Sequence, residues 1–206
     1  FVFSYKRTEE TADLLKQLTH DLSFRRGFWH LTIERLFAIC QAVSALGSEH
    51  ALYIESDVLL LPSFPLDQIW SAKGLSWTRY NHLRDVPSII HLENGEYASH
   101  LSQGLKHLFQ IKPDLTDMSA LHSYAELNQD IVCLFPTVHH GIENTTLLTN
   151  SEYPRISSKS HLSEIGSVGI FDGATFGMHL LGQDPRNAYG FTQFLNPELS
   201  SRAESS

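Results

Sequence analysis

Residues 49–62, EHALYIESDVLLLP, decide how the rest of the chain is read. The run Ala51-Leu52-Tyr53-Ile54 is too short for a helix and rich in strand formers, and it follows a glycine at position 47. It ends in two carboxylates separated by one residue, Glu55 and Asp57, and a second apolar run then breaks at Pro62 and Pro65. This pattern predicts a buried strand whose carboxyl end carries Glu55 and Asp57. Residues two apart on a strand project from one face, so the two carboxylates are expected side by side if extended geometry continues to position 57. Two like charges that close are costly unless a cation joins them. Oxygen ligands of this kind suit Mg²⁺ or Mn²⁺ and leave coordination positions for substrate phosphates. The plainer alternative is a strand end whose two carboxylates face water.

Upstream, FVFSY at 1–5 alternates like a strand, and Thr8, Glu9 and Glu10 place a cap and negative charge ahead of TADLLKQL, which predicts a helix. From Thr32 the apolar positions Ile33, Leu36, Phe37, Cys40 and Val43 recur at helical spacing, and Gly47 stands where a C-cap belongs. Downstream, strands are predicted at 75–80 and 88–93, helices at 96–110 and at 117–127 with Thr116 or Asp117 as cap, and a short strand at DIVCLFP. Strands interleaved with helices predict an α/β layered fold with a largely parallel sheet. Ligands of such open sheets bind outside the carboxyl ends of the strands, which is where Glu55 and Asp57 are expected. The stretch 137–166 lacks periodicity, and 196–206 reads as a frayed tail.

Composition narrows the function. The chain has 206 residues and is 42% hydrophobic, enough for a sizeable core, and its 15 basic against 23 acidic residues exclude the basic footprint of a nucleic-acid binder. Twelve histidines invite a metal-site reading, but they are scattered, and the adjacent pair His139-His140 sits in loop-like sequence. Cys40 and Cys133 lie in apolar runs, where a thiol acts as a small hydrophobe. No run approaches the roughly 20 apolar residues of a membrane span. Few cysteines and the lack of a leader pattern favour the cytoplasm, while the sequon at Asn144 and the opening at Phe1, which predicts a missing part of the N-terminus, point to the Golgi lumen as the alternative.

ALYIESDVLLLP resembles the DxD-type metal motif of glycosyltransferases with the GT-A fold. The resemblance implies a Rossmann-like mixed, largely parallel sheet flanked by helices, one domain over 1–206, and an enzyme that moves a sugar from a nucleotide-sugar donor to a carbohydrate or other hydroxyl acceptor. It implies Mn²⁺ or Mg²⁺ on Asp57, with Glu55 sharing the metal or facing the donor ribose; the departure is Glu for the motif's first Asp. GFWHLTIERLFAI, 27–39, resembles the helix that places an arginine next to the donor in several such enzymes, which makes Arg35 the candidate. Its guanidinium is expected on the motif's carboxylates or on a phosphate, the alternative being an ordinary surface ion pair near Glu34. GIFDGATFGMHLLGQDPRN, 169–187, resembles the late acidic-Gly segment that faces the transferred sugar and the acceptor. Asp172 would then be the catalytic base or a ligand of a sugar hydroxyl, Gly173 would let a ligand approach the backbone, and His179, Asp184 and Arg186 rank below them; the alternative is a tight turn at Asp172-Gly173 with Asp172 capping the helix that follows. Trp70 reads as core, while Trp29 and Trp77 are open to sugar stacking. Two rival readings are a glycoside hydrolase built on a carboxylate pair, and a non-catalytic domain of the same fold that binds a glycan or a protein.

Overall fold

A computed structural model describes residues 3–135 except Asp57, Leu59, 61–63, Pro65 and His82. Five helices and three strands follow in the order α1 (Glu9–Gln17), α2 (Phe28–Leu46), β1 (Ala51–Ile54), α3 (Leu66–Ser71), β2 (Leu75–Asn81), β3 (Arg84–Leu92), α4 (Gly95–Ile111) and α5 (Asp117–Leu127), with a 3₁₀ turn at Phe24–Arg26 before α2. The described chain mixes helices and strands, as the sequence predicts, but residues 3–7 form no strand. The final strand predicted at 130–136 is present only as two bridges, at Val132 and Phe135.

Local chemistry sets the helix ends. The Thr8 hydroxyl accepts the Thr11 amide at 3.1 Å and starts α1. The side chain of Asn94 accepts the amides of Glu96 and Tyr97 and starts α4. Thr116 and Ser119 cap each other's amides at the head of α5. Gly47 ends α2 in the left-handed conformation that glycine adopts without steric cost. Helix α2 begins four residues before the predicted Thr32, because Gly27, also left-handed, lets Phe28 and Trp29 enter the first turn. It is buried on more than one face: Glu34 and Cys40 are covered along with Ile33, Leu36, Phe37, Ile39 and Val43. Burial pushes the Cys40 thiol up to about 12, so it is an inert hydrophobe.

The largely parallel sheet expected from the sequence is not what these strands form. The order is β1-β3-β2, and β3 runs antiparallel to both neighbours. Asn81 pairs with Arg84, so β2 reverses into β3 through a two-residue connection, whereas a parallel pair needs a crossover of a dozen or more residues. The register aligns Ala51, Leu92 and Leu75 across the sheet, and Tyr53, Ile90 and Trp77 in the next row. Between Trp77 and Thr78 the partner jumps from Ile90 to Val86, and Pro87, which has no N–H to give a ladder, falls within that irregularity. Residues 132–135 add along the other edge of β2 in parallel, through Cys133 N–H to Leu75 C=O at 2.8 Å and Phe135 N–H to Trp77 C=O at 2.8 Å. Gly74 makes that approach feasible: its φ is +78°, and a Cβ there would stand 2.2 Å from the Ile131 carbonyl oxygen.

Alternation along the strands gives the sheet two covered faces. One carries Tyr53, Leu75, Trp77, Ile90 and Leu92 into the main core with α1, α2, α4 and α5. The other carries Leu52 and Ile89 against a smaller cluster of Ile69, Trp70 and Ala72 around α3, with Phe135. Trp70 is thus packed in an apolar cluster, as predicted, and Trp77 is fully buried. His91, in β3, is also fully buried, its Nε2 3.2 Å from His50 Nδ1.

Two predictions follow from this packing. A methyl group on Gly104 of α4 would meet Tyr124 Cε2 of α5 at 2.5 Å. Gly104→Ala should therefore lower unfolding free energy by about 1–3 kcal/mol in urea titrations despite alanine's better helix propensity. His91 is held down to about 4 by burial and by the neighbouring His50, against the partial opposition of Glu93. The unfolded chain takes up this proton below about pH 6.5 and the folded chain only near 4, so stability should be full above that window and fall by at most ~3 kcal/mol as pH drops through it. Replacing His91 with Leu should flatten this part of the pH–stability curve measured by urea titration.

Candidate functional site

Arg35, halfway along α2, reaches across to the carboxyl end of β1. Its Nη1 donates to Glu55 Oε1, and its Nη2 donates to Asp117 Oδ2 at 3.2 Å. The guanidinium carbon lies 5.9 Å from the ring centroid of Tyr53, the β1 residue that faces α2, in cation–π range. One side chain thus joins α2, β1 and the first turn of α5. The expected pairing of Arg35 with a carboxylate of the ExD stretch is present at Glu55. The alternative pairing near Glu34 is not, because both Glu34 oxygens are taken by one edge of the Arg7 guanidinium, through Nε and Nη2.

The two carboxylates that hold Arg35 differ in environment. Glu55 follows the last residue of β1; its amide still bonds the Ser88 carbonyl at 2.9 Å, and Val58 N–H then donates back to the Glu55 carbonyl. The chain therefore turns after Glu55 instead of continuing as strand. The side-by-side projection of two strand residues expected from the sequence has no support here, and Asp57 itself lies outside the described residues. Asp117 is buried at the head of α5. Burial pushes its carboxyl above the usual carboxylate range, opposed by the Arg35 guanidinium, the Met118 amide and the Thr32 hydroxyl. Sequence reading noted Asp117 only as a cap candidate. Nothing in the spacing of positions 35 and 117 links them, since the link exists only once α5 is laid beside α2.

A second polar cluster escaped the sequence entirely. Asp85, fully buried near the start of β3, accepts from Trp77 Nε1 at 2.8 Å, Arg79 Nε at 3.0 Å and His122 Nδ1 at 3.3 Å. Arg79 also pairs with Glu126 at 2.6 Å. Each oxygen of Asp85 has a donor, and the cluster ties β2, β3 and α5 together, which makes it a structural tie. Trp77, bound here and fully buried, does not present a face for sugar stacking. Trp29 packs in an aromatic group with Phe24, stacked at 5.8 Å, and Phe28.

Among the described residues no three His, Cys, Asp or Glu side chains converge as a metal ligand set. By donor type Glu55 fits a hard cation such as Mg²⁺ or Mn²⁺, but Arg35 occupies its Oε1. Asp172, Gly173, His179, Asp184 and Arg186 lie outside the described residues, as do the sequon and the His139-His140 pair. No described helix is long and apolar enough to cross a membrane. Compared with protein-family models, with curated proteins and with solved structures, the chain matches none.

Removing Arg35 would leave Asp117 buried beside no cation. Arg35→Met should lower unfolding free energy by about 2–4 kcal/mol at pH 7. The deficit should shrink as pH falls toward 5, because the uncompensated carboxyl then takes a proton; paired denaturant titrations of the two proteins at both pH values check this.

Proposed function

We propose that this chain is a metal-dependent glycosyltransferase that moves a sugar from a nucleotide diphosphate donor to a hydroxyl acceptor. The observation that carries the reading is the partly exposed guanidinium of Arg35, fixed at the carboxyl end of β1 beside the ExD stretch. A cation so placed suits the charge that develops on a departing diphosphate. In this reading Asp57 and Glu55 hold Mn²⁺ or Mg²⁺, which as a Lewis acid would stabilise the leaving group. Arg35 binds phosphate oxygen, and Gly173 leaves room for the donor at the backbone. Asp172 takes the proton of the attacking acceptor hydroxyl.

A hydrolase needs two carboxylates flanking one glycosidic bond and gives no role to the Arg35 guanidinium, which the transferase reading uses on phosphate. Calorimetric titration with UDP and GDP tests it: binding should require Mn²⁺, vanish with chelator, and be lost in Asp57→Asn. A protein that binds neither nucleotide with Mn²⁺ present would exclude both donor classes.

A further inference from the structure

The two partners of Arg35 are not equivalent. Its Nε is buried and has no hydrogen-bond partner. Its Nη2 is bound to Asp117, whose side chain is 5% exposed, anchored in the first turn of a capped helix. Its Nη1 is bound to Glu55, whose side chain is 25% exposed at the point where β1 ends. Of the three nitrogens, then, only Nη1 is held by a partner that solvent reaches readily. One guanidinium between two carboxylates also leaves one negative charge uncompensated. A dianionic or trianionic ligand could not approach without that balance changing.

We propose that the Arg35–Glu55 pair is the donor-free state of the site: an arriving diphosphate replaces Glu55 on Nη1 while Asp117 keeps Nη2. The released Glu55 carboxylate then becomes available to the divalent cation that accompanies the donor. This inference rests on the transferase reading and adds to it a positioning residue, Asp117, and an exchangeable partner, Glu55. The exchange keeps one charged partner on Nη1 throughout, an anion replacing a carboxylate, so no bare charge is left at that nitrogen. It also keeps the guanidinium in place throughout, since the planar fork binds a separate partner at each amino group. In this scheme the same carboxylate opposes the anion when metal is absent and assists it when metal is present.

Those opposite signs supply the test. Binding of inorganic pyrophosphate and of UDP is measured calorimetrically in chelator and in Mn²⁺ for the wild type, Glu55→Gln, Asp117→Asn, and Glu55→Gln combined with Arg35→Met, with melting curves for each. In chelator, Glu55→Gln should bind pyrophosphate about tenfold more tightly than the wild type, because the competing carboxylate is gone. The gain should disappear in the Arg35→Met background and reverse for UDP in Mn²⁺. Asp117→Asn, if it melts as a folded protein, should bind more weakly in both conditions. If the wild type binds UDP with Mn²⁺ but Glu55→Gln gains nothing in chelator, or keeps its gain without Arg35, the exchange is wrong and the transferase reading stands. If no variant binds either ligand under any condition, both fall together.

Discussion

The tight reversal between β2 and β3 is the constraint on which the described structure depends. Two residues separate the paired Asn81 and Arg84, and so short a link can join only antiparallel strands. It places β3 beside β2, and β1 then pairs with the opposite edge of β3. With β3 in the centre, β1 and β2 run in the same direction and present their carboxyl ends together. Residues 132–135 extend the sheet in that direction along β2, through the space that Gly74 leaves. The helices that cover one face carry the apolar mass of the core, and α3 closes the other face with a much smaller cluster.

Polar groups inside this frame mark where elements are tied. Asp85 gathers Trp77, Arg79 and His122, and Glu34 accepts from Nε and Nη2 of Arg7 with its two oxygens. Buried carboxylates satisfied in this way fix one arrangement of the packed elements, since shifting any one of them would strand a charge away from water. The Arg35 cluster differs from both. It lies where the ExD stretch begins, at the carboxyl end of β1. That place beside the ExD stretch is why the proposed site centres on Arg35.

Much of the fold was legible in residues close together in sequence. Thr8, Thr116 and Gly47 act at the helix ends where their chemistry predicts, and helical spacing located α2, α4 and α5 to within a few residues. Strand direction was misjudged because β3 was read as starting at 88. That start leaves seven residues after β2 and omits the proline-containing sequence Arg84-Asp85-Val86-Pro87 from the strand. The pairing of Asp85 and Val86 across the hairpin makes it strand instead. The short helix α3 was hidden behind Pro62 and Pro65, which read as a break.

For the candidate site the division is similar. The sequence by itself determined the end of a short apolar strand in Glu55, and an arginine on the preceding helix, because strand and helix periodicity depend on near neighbours. Only the tertiary structure decided that Arg35 meets Glu55 and not Glu34, that Asp117 completes the cluster, and that the sheet around it is antiparallel. Contacts across 20 or 82 positions arise when helices and strands choose their packing partners, and no local pattern of residues encodes that choice.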